Sequence, residues 1–360
     1  MQEREPGATS RGRLVSDVLS GAWRRAQGPL SLSASDLDIV TPLLYGSGAG
    51  ALGWWRIRET SLRETESAQV LHQAYRLQAL QARIHETKIQ KVFRLLHAAN
   101  VEPILIKGWA ISRLYPQAGL RPFGDIDLFV RPEVFRNALD VVQSDEAKDC
   151  WVDLHDRISE LDDRRIDDLF SRSQLISCGD EQIRVLSAED HFALLAIHML
   201  KHGAWRPLWL CDIALLLELI PETFDWKLCL GTGKRRANWI LTATGLAHNL
   251  LGAEIRNEVV AEQARRIPSW LVRSVLREWN APFAIRQPPM SHRAPIKQYL
   301  RRPAGLIGDL ANRWPNPILA TVSVNGKFNK LPRLPYQLGN LMARAGQFLF
   351  RASRIRLQAL

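Results

Sequence analysis

The chain has 360 residues, 46% apolar and 24% charged, which excludes wholesale disorder and collagen-like repeats and suggests two or three units of roughly 150 residues each. Its longest apolar-rich stretch, Pro207 to Ile220, is interrupted by Asp212 and Glu218 and falls short of the roughly 20 residues that span a bilayer. The net charge of +11 is concentrated at one end, because residues 291–360 hold 12 Lys and Arg against one acid, Asp309.

The opening MQEREPGATSRGR has neither an apolar core nor a small-residue cleavage site, so no secretory signal is expected. Cys150, Cys178, Cys211 and Cys229 show no CxxC pairing and predict no disulfide framework. A cytoplasmic, reducing location is the expectation. Short helices are expected at Leu14–Ala26 and Ala34–Tyr45. A long helix should follow, opened by the capping-box spacing of Ser61 and Glu64 and closed near Asn100, with Leu77, Leu80, Ile84, Val92, Leu95 and Leu96 near one face.

The pattern then changes. Val101–Ile106 reads as a buried strand, Trp109–Leu114 as a short helix and Tyr115–Phe123 as a loop. Asp125–Val130 alternates as a second strand. Pro132 opens a helix to about Val142, Cys150–His155 is a third strand, and Leu175–Ser177 with Gln182–Leu186 form a hairpin around Gly179–Asp180. From Ser187, a cap with Asp190 at the reciprocating position, the chain is helical: Leu208–Leu219, Lys234–Leu251, Asn257–Arg265 and Trp270–Glu278. Pro288–Pro289 marks a linker. In the basic tail, Leu338, Leu341, Met342, Ala345, Phe348, Leu349, Ala352 and Ile355 recur at helical spacing. That amphipathic helix either packs on the body with a solvated arginine face or binds an anionic surface: nucleic acid, acidic protein or membrane.

The chemistry lies between Lys107 and His155. In Gly124-Asp125-Ile126-Asp127 the two carboxylates are two residues apart, and a strand turns such residues to one face. Like charges so close repel, and a hard divalent cation such as Mg²⁺ removes the penalty. Asp153 alternates with Val152 and Leu154, so pairing of the second and third strands would make a three-carboxylate cluster. Such a cluster can hold two metals for phosphoryl transfer. By itself Asp-x-Asp is also an ordinary strand-end turn. Lys107–Gly108 before a short helix adds free N–H groups for a phosphate.

Residues 104–132, ILIKGWAISRLYPQAGLRPFGDIDLFVRP, together with Trp151-Val152-Asp153-Leu154-His155 and LSAEDHFALLAIHMLKHGAWRPLWLCDIALLL, resemble the bacterial uncharacterised nucleotidyltransferase family of the DNA polymerase β-like superfamily. The resemblance runs from about Gln69 to Leu219. It implies that Asp125, Asp127 and Asp153 are catalytic metal ligands, Asp153 also helping to deprotonate the acceptor. It further implies that Lys107, Gly108, Arg121, His198 and His202 contact the nucleotide. Trp109 stands where the wider superfamily has serine.

Two motifs compete. Residues 48–53 satisfy GxGxxG, yet no strand precedes them, and an interhelical turn is the expectation. His198 and His202, four apart on a helix, suit zinc, a phosphate contact or plain packing, and no third zinc ligand is evident. The twelve tryptophans, among them Trp205, Trp209, Trp239 and Trp270, fall mostly in apolar helical contexts and are expected to be buried.

The expected fold is α+β, a small mixed sheet flanked by helical regions. Its expected divisions are a helical region 1–68, a nucleotidyltransferase core 69–186, a helical domain 187–286 and a basic region 287–360. The expected activity is transfer of NMP from a nucleoside triphosphate such as ATP to a hydroxyl acceptor of unknown identity, releasing pyrophosphate, with two Mg²⁺ ions or Mn²⁺ in their place. The alternative is an inactive nucleotide- or nucleic-acid-binding module with a basic effector tail. Residues 291–360 are the expected contact for an anionic partner.

Overall fold

The computed structural model describes residues 8–281 and 314–357. Four helices come first: α1 (Ala8–Leu19), α2 (Ala34–Ser47), α3 (Gly50–Ile57) and α4 (Glu66–Ala98). The next elements are β1 (Ile104–Leu105), α5 (Trp109–Ser112), β2 (Ile126–Phe129), α6 (Phe135–Val142), β3 (Val152–His155), α7 (Ile166–Arg172), β4 (Gln174–Cys178) and β5 (Glu181–Val185). The remainder is helical: α8 (Ala188–Lys201), α9 (Pro207–Leu219), α10 (Trp226–Leu230), α11 (Lys234–Leu251), α12 (Glu258–Ala264), α13 (Ser269–Trp279), α14 (Pro317–Ser323) and α15 (Leu334–Leu357). This is the α+β arrangement expected. Among the described residues no helix is long and apolar enough to cross a membrane.

The five strands form one mixed sheet in the order β3-β2-β1-β5-β4. β2 pairs parallel with β3, β1 antiparallel with β2 and parallel with β5, and β4 antiparallel with β5. The β4–β5 hairpin turns at Gly179–Asp180, where Gly179 has φ +59°, the conformation that a two-residue loop requires. Alternation divides the sheet between two cores. Leu105, Ile126, Leu128, Ile183 and Val185 face a core with α4 and α6. Ile104, Ile106 and Phe129 face a larger core built with the flanking helices.

Several boundaries differ from the sequence reading. The long helix starts at Glu66, with the Thr65 hydroxyl accepting from the Ala68 N–H. Ser61–Glu64 is a separate 3₁₀ turn, and Glu64 pairs with Arg63 instead of closing a capping box. At 33 residues α4 is about 50 Å long and joins the two cores. Ala68 and Leu71 enter one, and Ile89, Val92, Phe93 and Leu96 the other. Leu77, Leu80 and Ile84, between them, are exposed. The first helix ends at Leu19, before Gly21 at φ +69°. Gly48, at φ +80°, closes α2 and α3 starts at Gly50, so GxGxxG is the interhelical turn expected. In α15 Asn340 is buried while Leu338 and Met342 are exposed, so this part of the expected apolar stripe does not pack. The Pro288–Pro289 linker lies outside the described residues. Trp239 is buried, whereas Trp205, Trp209 and Trp270 are partly exposed.

Two ionic clusters fix α8. The fully buried Asp190 carboxylate accepts from Arg164 and Arg172, and its neighbour Ser187 caps the helix. Glu160, in the loop after β3, sits 3.3 Å from the Lys201 ammonium. Burial favours its neutral form, but hydrogen bonding with His198 and the Lys201 charge outweigh this, leaving its pKa well below the usual carboxylate range. Asp190→Ala leaves two guanidinium groups without their counterion and should destabilise the fold by about 3–5 kcal/mol in urea unfolding. Because Glu160 titrates lower folded than unfolded, its contribution is complete above pH 4.5, the ordinary value, and is lost as pH falls below it. Between pH 4.5 and 3 the wild type should lose up to about 1.4 kcal/mol more per pH unit than Glu160→Gln. Parallel urea series at stepped pH measure the difference.

Candidate active site

The β2–β3 register sets Asp127 beside Asp153 and Phe129 beside His155. Positions two apart share a face, so Asp127, Asp153 and His155 project together toward the larger core. Their ligating atoms all lie within 4.8 Å of one another, and they are the group of three that could hold a metal among the described residues. Asp127 is 5% exposed, whereas Asp153 is open to solvent.

The charge on Asp127 is compensated twice. Lys107 Nζ lies 2.7 Å from its Oδ1, and His155 Nε2 lies 3.4 Å from the same oxygen and 3.3 Å from Asp153 Oδ2. Burial pushes the Asp127 carboxyl up, but hydrogen bonds and charge from His155 and Lys107 prevail, holding it below its ordinary value. The reciprocal hydrogen bond to Asp127, opposed by burial and helped by Asp153, holds His155 above its ordinary value. Neither shift involves a distant group.

A cavity of about 390 Å³ opens beside this cluster. Its sheet side presents Lys107, Gly108, Asp125 and Asp127, and its helical side His198, Arg206 and Trp209. Gly108 precedes α5 at φ +54°, a left-handed conformation that disfavours a side chain. Asp125 immediately precedes β2, is exposed, and lines the cavity without joining the Asp127 group.

Arg121 reaches the cavity wall, yet its guanidinium is buried and occupied. Nη2 donates to Asp212 Oδ2 at 2.9 Å, Nε lies 3.2 Å from both carboxylate oxygens, and Tyr115 Oη donates to Oδ1 at 2.8 Å. Asp212 thus pairs with Arg121. Arg206 is the cation left facing the cavity. Its Nε donates to the Ser47 carbonyl at 3.0 Å, and it has no carboxylate partner among the described residues. Burial, with the nearby Arg121 charge, lowers its pKa to about 10. Gly48 leaves room for it, since a Cβ there would lie 2.6 Å from Arg206 Nη2.

His198 lines the cavity, with Trp209 edge-on at 5.2 Å between ring centroids. His202 stacks at a tilt on His198 at 4.4 Å but does not line the cavity and is exposed. Neither belongs to a group of three metal donors among the described residues, which gives zinc no support. Lys201 is engaged by Glu160. Trp109 is 6% exposed, and its Nε1 donates to Glu86 Oε1 at 3.1 Å, away from the cavity. The sequence reading did not place His155 among the site residues. His155 carries a readable signal, two residues after Asp153 on the same strand.

No curated protein and no solved structure matches the chain. The family model described as "Uncharacterised nucleotidyltransferase" matches residues 51–145 and 140–251, more than half of the sequence and the whole of the sheet and cavity. By that match the chain belongs to the uncharacterised nucleotidyltransferase family.

Proposed function

We propose that this protein transfers a nucleotidyl group from a nucleoside triphosphate, ATP among them, to a hydroxyl acceptor in the cytoplasm. The observation that carries the reading is the juxtaposition of Asp127 and Asp153 in register with a cavity that Lys107 and Arg206 line. The donor set suits a hard divalent cation, Mg²⁺ or Mn²⁺. Asp127 and Asp153 supply carboxylate oxygens, Asp125 stands beside them at the cavity, and Mg²⁺ needs only one or two protein carboxylates. When bound, the ion neutralises phosphate charge and makes the acceptor hydroxyl more acidic.

The acceptor oxygen forms a bond to the α-phosphorus, the bond to the pyrophosphate oxygen breaks, and Asp153, the more exposed carboxylate, takes the hydroxyl proton. Lys107 and Arg206 offer cationic N–H donors to the phosphates, and such charge-assisted bonds are about twice as strong as neutral ones. His198 and Trp209 wall the helical side. His155 holds the two carboxylates in place, and Arg121 acts through Asp212 to fix the cavity wall. Residues 291–360, at +11, are the proposed contact for an anionic acceptor or partner.

Incubation with α-labelled ATP, GTP, CTP or UTP, Mg²⁺ and a bacterial extract should label an acceptor. Asp127→Asn and Asp153→Asn should each reduce labelling about 100-fold or more, and EDTA should abolish it. Labelling unchanged in Asp127→Asn would overturn the reading. Nucleotide binding without label in any condition would favour the inactive binding module. Arg206→Gln should weaken ATP binding about tenfold by removing a charged donor, measured by equilibrium titration of a folded sample.

A further inference from the structure

The segment between α14 and α15 and the first turns of α15 turn apolar side chains to solvent. Leu331, Leu334, Leu338 and Met342 are between 44% and 75% exposed. Leu334, Leu338 and Met342 recur every fourth residue and therefore share one stripe of the helix, opposite the buried Asn340. Val324 widens the patch: it is exposed, and a Cβ on Gly339 would lie 3.4 Å from its Cγ1. Single exposed leucines are ordinary, but a contiguous apolar patch marks an interaction surface.

Cations stand at one end of the stripe. Lys327 and Lys330 are exposed and have no ion pair among the described residues. Arg235, on the first turn of α11, is also exposed, and its Nη1 donates to the Asn325 carbonyl at 3.3 Å. That contact sets its charge beside the same segment without cancelling it. Residues 310–360 contain no Asp or Glu, so no acid of this stretch offsets the lysines. A nucleic acid would answer the charges and leave the stripe in water. A second copy of this chain would set like charge against like. An anionic bilayer answers both features, its headgroups facing the cations and its acyl boundary the apolar helix face. We propose that this face docks on an anionic lipid surface, with Leu334, Leu338 and Met342 entering the interface and Lys327, Lys330 and Arg235 on the headgroups. The inference stands apart from the nucleotidyl-transfer reading, since no residue of the cavity takes part in it.

Vesicle flotation of the full chain tests it, with phosphatidylcholine alone and with phosphatidylcholine–phosphatidylglycerol mixtures. The protein should float with the anionic vesicles far more than with the neutral ones, and added salt should weaken the binding. The double variant Lys327→Gln/Lys330→Gln should bind the anionic vesicles about 25-fold more weakly, at roughly fivefold per cation. Leu338→Ser/Met342→Ser should bind them about tenfold more weakly, because less apolar surface leaves water. All four positions are exposed, and an unchanged melting curve shows that each variant folds. Absence of flotation with anionic vesicles, or affinity unchanged in either double variant, would overturn the proposal. Oligouridylate binding that replaces vesicle binding and is lost with the two lysines would assign the face to nucleic acid instead. A dimer in light scattering that Leu338→Ser/Met342→Ser dissolves would assign it to a second copy, and either result sinks the lipid reading.

Discussion

A nearly buried carboxylate on a four-residue strand is the constraint around which this site is arranged. Asp127 is 5% exposed, and a buried ion left without a partner is penalised by several kcal/mol. The sheet answers with two groups on adjacent strand ends. Lys107 lies two residues past the end of β1, and His155 closes β3, so the strand order β3-β2-β1 brings one countercharge to each side. Had β3 paired one residue out of register, Asp153 and His155 would turn to the opposite face, among Leu105, Ile126 and Leu128. The parallel register and the charge on Asp127 therefore support each other.

A second buried pair sets the opposite wall. Asp212, at 0% exposed, takes Arg121 and Tyr115 from the loop before β2 and ties that loop to α9. The same helix begins beside Arg206 and carries Trp209. Arg121 is itself the residue to which the family resemblance gives a nucleotide contact, but two of its three nitrogens already face Asp212. Its effect on the cavity is positional: it fixes the distance between the sheet and the helical block. The cation that remains for an anionic ligand is Arg206, held by a backbone carbonyl that does not cancel its charge.

The sequence made the sheet legible because its strands combine apolar alternation with clear breaks, as at Gly179–Asp180 and at Pro132. The Asp127–Asp153 juxtaposition followed from the same alternation. Boundaries failed where two signals competed within a few residues: Ser61 and Thr65 both read as caps in the sequence, and in the structure Thr60 caps the 3₁₀ turn while Thr65 opens α4. The exposure of Leu77, Leu80 and Ile84 was hidden for a related reason. Their periodicity matches that of the buried positions, and nothing local records that α4 passes from one core to another there. Asp190 sits where a reciprocal cap is expected, but its pairing with Arg164 and Arg172 depends on a loop and a helix more than fifteen residues upstream. His198 and His202 share a helix face, yet which of them meets the cavity depends on where α9 crosses α8.

Trp109 shows why a departure from a family pattern need not lie on the ligand side. Gly108 has φ +54° and ψ −114°, and the residue after it enters the core between α4 and the sheet, where Trp109 Nε1 donates to Glu86. A large apolar side chain with one buried donor is what that position accommodates. Serine there would leave a void in that core, and voids of that kind are destabilising in proportion to their volume. The identity of residue 109 is thus governed by packing of α4 on the sheet, and its one hydrogen-bonding group is engaged by Glu86 away from the cavity. On the proposed reaction, phosphate charge then falls to Lys107, Arg206 and the cation that the carboxylates hold. Two of these three are already fixed by protein contacts: Lys107 by Asp127, and Arg206 by the Ser47 carbonyl.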